Sequence, residues 1–203
     1  MRARMIGALA AGVALVVSSV VAVPAAAQPA TWTVSPGGAF HGAAGETLLE
    51  TQESGIQFGC ASSTLDGQAQ GGSGLSNPLA SIPETPGITI NDCSGPFGIV
   101  FEIDPVGEWH LNGASYDGSD VTTGTIDDLQ LDVVAPGCNA TITGSLDVTY
   151  TNSTGVLRVL PNFTAVFSFI DPVNNCLGII STGDHASLST SYVLTPALTI
   201  TSP

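Results

Sequence analysis

An all-β fold, a sandwich or a barrel, is predicted for this chain by three observations. Apolar and polar residues alternate at period two in many short runs. Clusters of Gly, Pro, Asn and Asp separate those runs at short intervals. Four cysteines, an even number, follow what reads as an export leader.

The leader comes first. Arg2 and Arg4 form a short positive region, and a run from Met5 to Val23 is almost entirely Ala, Val, Leu, Ile and Gly. Pro24 and three alanines follow, with small residues at Ala25 and Ala27, the pattern at which a signal peptidase cuts. Residues 1–27 are therefore expected to be removed, and residues 28–203 to form one domain that is secreted or retained at the cell envelope.

Removing 1–27 takes away two of the three Lys+Arg and none of the 17 acidic residues. The remaining cation is Arg158, and the formal charge becomes −16. A surface of that sign repels nucleic acid and anionic membrane, because both demand basic patches. Neither is expected as a partner of the mature chain. Long runs of helix-forming Leu, Glu, Lys and Arg are missing after the leader, while β-branched residues are frequent.

Cys60, Cys93, Cys138 and Cys176 are spaced too widely for a structural zinc site. Two disulfides are expected, and spacing alone does not choose among three pairings. A self-similarity does. Trp32 precedes Gly59-Cys60-Ala61, as Trp109 precedes Gly137-Cys138-Asn139. Asn91-Asp92-Cys93-Ser94-Gly95 matches Asn174-Asn175-Cys176-Leu177-Gly178. This order suggests two diverged repeat copies, about 32–105 and 109–203, each closing its own bridge. Cys60–Cys93 and Cys138–Cys176 are the pairs that follow.

Strand runs are clearest at Asp128–Val133 and at Leu146–Thr151, where apolar side chains fall on one face. Phe97, Ile99, Phe101 and Ile103 alternate too, with Val100 apolar on the far side. Residues 163–170 are apolar on both faces and read as a central strand. Turns are expected at 71–78, 83–87, 117–120 and 171–175, and 67–81 reads as the longest loop.

Chemistry is sparse. Asp117 and Asp120, with Asp127 following, form an acidic cluster that offers oxygen ligands for calcium, the one cofactor the sequence suggests. The spacing lacks the terminal Glu of an EF-hand loop, and Asx-turn capping is the alternative. Asp184 and Glu108 lie near His185 and His110, but the G-x-S-x-G nucleophile pattern is absent. Scattered carboxylates define no glycosidase pair. Trp32, Trp109, Tyr116, Tyr150 and Tyr192 would stack a glycan if exposed; the recurrence of Trp at the start of each copy points to core anchors instead.

Trp32 to Gly38, Gly59-Cys60, Asp92 to Pro96, Asn112 to Tyr116, Thr149 to Gly155 and the closing Ile200-Thr201-Ser202-Pro203 together resemble small secreted proteins of actinomycetes. That resemblance implies a bacterial source and export. It carries over no catalytic or binding residue, since the group has no established activity. In composition alone the chain is also similar to antibiotic-carrying apoproteins of the same bacteria.

The expectation is a non-enzymatic structural or binding protein, with no catalytic residue assigned. A module holding a small apolar ligand or a glycan between the copies is the first alternative, and a cell-envelope protein is a further candidate partner. A hydrolase using carboxylates or His185 is the second. Exposed Trp or a sizeable apolar pocket favours the module. Two carboxylates facing across a cleft favour the enzyme. Oligomeric state is not legible.

Overall fold

The computed structural model describes residues 31–203, so the leader read at 1–27 lies outside the described residues. Fifteen strands follow in order. They are β1 (Trp32–Ser35), β2 (Gly38–Ala44), β3 (Thr47–Thr51), β4 (Gln57–Ala69), β5 (Gly72–Leu75), β6 (Ala80–Ile82), β7 (Ile88–Ser94) and β8 (Val100–Pro105). Then come β9 (Trp109–Tyr116), β10 (Val121–Ala135), β11 (Cys138–Thr151), β12 (Val156–Val159), β13 (Ala165–Asn175), β14 (His185–Thr195) and β15 (Thr199–Thr201).

The pairings resolve the choice between sandwich and barrel. β2 and β3 lie end to end along β4, at Phe40↔Gly67 and Thr47↔Cys60. β6 and β7 lie end to end along its other side, at Gln68↔Ser81 and Cys60↔Cys93. β8 and β9 continue the series against β7 and β6, and both also pair β10. β10 pairs β11, β11 pairs β12 and β13, and those two pair β14. β14 then returns to β2 and β3. The ring is β2/β3, β4, β6/β7, β8/β9, β10, β11, β12/β13 and β14, eight staves, every neighbour antiparallel. Each stave pairs with its neighbours in sequence and the last closes on the first. This is a closed up-and-down barrel with no free edge in the ring.

Alternation explains which way each stave faces. β11 reads buried at Cys138, Ala140, Ile142, Leu146, Val148 and Tyr150, while Asn139, Thr141, Thr143, Asp147 and Thr149 point outward. The apolar face fills the lumen and the Thr/Asp face meets solvent, the reverse of a barrel that spans a membrane. A bulge at Asp127-Asp128 breaks the β10–β11 register between Ile126 and Leu129 and restores the inward phase of Leu129 and Leu131.

One end of the barrel is covered by a small sheet in the order β15-β1-β5. Trp32 and Val34 of β1, with Leu198 and Ile200, are buried there. The Tyr150 hydroxyl donates to the Leu198 carbonyl at 2.7 Å and accepts its N–H at 2.8 Å. Asn152 accepts the Ile200 N–H at 2.7 Å. Gly113 leaves room for the Trp32 ring, since a β-carbon there would lie 2.5 Å from it.

The opposite end carries both disulfides, Cys60–Cys93 and Cys138–Cys176, spanning 33 and 38 residues. These are the pairs the repeat pattern selected. Two other expectations need correction. The stretch 67–81, read as a loop, includes the end of β4, β5 and the start of β6. Its glycines allow β5 to leave the barrel wall and join β1. Residues 171–175, read as a turn, end β13, with Asp171 accepting the N–H groups of Val173 and Asn174. Both Trp residues are buried as core anchors, Trp32 in the covering sheet and Trp109 in the barrel wall opposite Ile82.

Candidate functional site

The interior is the first place to look for a ligand, and it is filled. Leu65, Leu131, Ile142 and Phe167 belong to one core cluster, each at most 1% exposed. Trp32, Trp109, Tyr150 and Tyr192 are all buried, and Tyr116 is half-buried, so the five aromatics form no surface platform for a sugar. Polar groups inside are mutually satisfied. Thr47 lies 2.8 Å from Ser63 and 3.0 Å from Thr190, and Ser63 lies 3.0 Å from the Tyr192 hydroxyl. Burial pushes that tyrosine's pKa up. Among the described residues no buried side-chain nitrogen or oxygen lacks a hydrogen bond. A recess lined by Leu79, Leu111, Val148 and Tyr150 has room for about 10 Å³, less than one water.

The acidic residues suggested for calcium are not gathered into one site. Asp117 Oδ1 accepts the N–H groups of Ser119, Asp120 and Val121 at 2.8, 2.8 and 3.0 Å, which closes the β9–β10 turn. Those bonds hold its pKa down at about 2. Asp120 accepts the backbone N–H and the hydroxyl of Ser153, tying that turn to the next one. Asp127 lies in the β10 bulge and accepts Asn112 Nδ2 at 2.7 Å. Six residue steps of strand separate Val121 from Asp127, roughly 20 Å of chain. Among the described residues no group of three or more His, Cys, Asp or Glu is placed to hold a metal ion.

Each histidine is paired through Nδ1 with a carboxylate on the outer surface. His41 meets Asp66 at 2.9 Å, His110 meets Asp128 at 2.8 Å, and His185 meets Glu53 at 2.8 Å. The sequence neighbour Asp184 instead accepts the N–H of Ser181. Hydrogen bonding from His185 lowers the pKa of Glu53. These pairs have the orienting half of a catalytic triad. No hydroxyl is hydrogen-bonded to Nε2 in any of them among the described residues. His41 on β2 and His110 on β9 are separated by β4 and β6, roughly 14 Å of sheet, so they share no metal.

The disulfide end is different. Among the described residues eight large apolar side chains are exposed, and seven of them lie on the strand ends and turns of this end: Phe97, Val100, Val134, Phe169, Val173, Leu177 and Ile179. Phe97 is 99% exposed, on the short 3-10 turn Pro96–Gly98 just after Cys93. Leu177 is 65% exposed, on the matching turn Cys176–Gly178. Both have left-handed backbones, φ 61° and φ 58°, which favour Gly or Asn over a bulky side chain. Each turn is anchored by its disulfide. Behind them lies an apolar recess of about 20 Å³, lined by Phe58, Ile99, Phe101, Pro136 and Leu177. Phe101, Ala135 and Pro136 also line an outer groove of about 550 Å³. That groove adds Ile90, Val100 and Val134, with the carboxylates Asp92 and Glu102 on its walls.

Reasoning from sequence did not single out this end. Its signal was present in residues that break the alternation. Val100 faces the wrong side of β8, Val134 follows Val133 in β10, and Phe169 is apolar on an outward position of β13.

The class defined by fold and surface is thus a closed eight-staved barrel, filled inside, with one apolar disulfide-stapled end. No family model, curated protein or solved structure matches the chain.

Proposed function

We propose that the protein is a non-enzymatic, exported binding scaffold whose working surface is the disulfide end of the barrel. The observation that carries this reading is the pair Phe97 and Leu177, apolar, exposed and each held at positive φ. An exposed apolar patch of this extent marks a contact surface in a protein otherwise covered by Thr, Ser and Asp. Unfavourable backbone retained at exposed positions points the same way. Two disulfides suit an oxidising compartment outside the cytoplasm. The filled lumen and the triads without a nucleophile favour binding over catalysis. They also favour a partner at the surface over a ligand inside.

The test is co-sedimentation of the mature protein with isolated envelopes of the producing cell. Wild type is expected to pellet and the double variant Phe97→Asn/Leu177→Asn to stay in solution. Equal pelleting of both would move the working surface elsewhere.

A further inference from the structure

We infer that the disulfide end binds a basic amphipathic segment of a partner protein, one that presents an apolar face bordered by Lys or Arg. This rests on the disulfide end being the working surface, and it adds the chemistry of the occupant.

Charge complementarity selects that occupant. Beside Val100 and Val134 stand the exposed carboxylates Asp92 and Glu102, in the groove itself, and Phe97 lies on the turn three residues before Val100. Asp171 lies on β13 between Phe169 and Val173. Glu53 closes the neighbouring turn and is already engaged by His185. Among the described residues the one Lys or Arg is Arg158, on β12 against the covered half of the barrel. The apolar patch therefore sits in an uncompensated negative field.

Three occupants of an apolar patch differ in how they meet that field. An anionic bilayer is repelled by it. A second copy, docked end to end, would bring Asp92 and Glu102 of both molecules together, and like charges across an interface are costly. A helix or strand with an apolar stripe and flanking cations satisfies both features at once. Its apolar residues cover Phe97, Leu177 and the recess at Pro136. Its cations meet Asp92, Glu102 and Asp171 at the rim, where they steer association. The geometry is that of an amphipathic element laid into a hydrophobic groove.

The probe is a Leu/Lys peptide patterned as an amphipathic helix. Its controls are a Lys peptide of equal charge with Ser for Leu, and a Leu/Glu peptide. Binding to the mature, disulfide-intact protein is measured by fluorescence anisotropy. Vesicles of phosphatidylcholine with or without phosphatidylglycerol are tested alongside, and self-association is measured by sedimentation. Wild type is expected to bind the Leu/Lys peptide at least about tenfold more tightly than either control. Phe97→Asn/Leu177→Asn is expected to lose about tenfold in affinity for the Leu/Lys peptide. Asp92→Asn/Glu102→Gln is expected to lose affinity at low salt and to flatten the salt dependence. Native disulfide mapping of each variant confirms the fold.

Equal affinity for the Leu/Lys and Ser/Lys peptides would reduce binding to bulk charge and overturn the inference. Vesicle binding or dimerisation that Phe97→Asn/Leu177→Asn abolishes, with no preference for the Leu/Lys peptide, would overturn the partner chemistry and keep the surface. Insensitivity of every probe to that variant would overturn both.

Discussion

Phe97 and Leu177 place a side chain where the backbone favours none, at φ 61° and 58°. Replacing each with Asn, which tolerates that region, should relieve strain of roughly 1 kcal/mol per site. A combined gain of that order should raise the thermal midpoint by about 2–8 °C, read by calorimetry. A fall instead would mean that the two side chains pack against the barrel end and stabilise it. Asp117 gives a second test at this scale. Its carboxylate pKa is lowered to about 2 by three N–H donors, so the bonds favour the folded turn above the ordinary value of 3.8. That contribution fades as pH falls toward 2. Amide proton shifts of Ser119 and Val121 should therefore titrate together with a midpoint near 2. A midpoint near 3.8 would show that the carboxylate does not accept those bonds.

Elements explain what could and could not be read in advance. β11 was legible because inward and outward residues alternate without a break from Ala140 to Thr143 and again from Leu146 to Thr151. The disulfide pairing was legible because Trp, Gly-Cys and Cys-x-Gly recur in that order, and both pairs close between neighbouring staves. β5 was not: Gly72, Ser73 and Gly74 have the chemistry of a turn, and only pairing with β1 makes them a strand. The carboxylates of 117–127 illustrate a different limit. Spacing in sequence showed oxygen ligands close together, while strand rise spreads them along β10. The apolar end was hidden because its seven exposed residues are spread over several staves and turns, and no local window contains them. The bridges permit a stability test. Removing Cys138–Cys176 by a paired Ser substitution frees a loop of 38 residues and should cost about 3–4 kcal/mol in urea unfolding. A loss below about 1 kcal/mol would indicate that the β11–β13 pairing constrains the chain without it.

At the scale of the molecule, the barrel has two unlike ends. One is sealed by the sheet of β15, β1 and β5, tied to the wall through Tyr150, Asn152 and Thr122. The other is pinned by disulfides and left apolar. Between them the wall is mostly polar outside and tightly packed inside. The pairing of β1 with β15 has a mechanical meaning. The two strands are antiparallel, with Thr33 opposite Thr201 and Ser35 opposite Thr199. Their outer ends therefore point the same way. Tension applied between residues 31 and 203 loads the ladder one rung at a time, as a zipper, because its bonds lie across the strands. The seal should peel at low force and uncover Trp32, with the stave ring holding until higher force. In an optical trap, oxidised protein should extend in two steps, and reduction should lengthen the second by the chain held between the paired cysteines. A molecule pulled from both termini would thus yield first at the covered end, with the disulfide end intact under load.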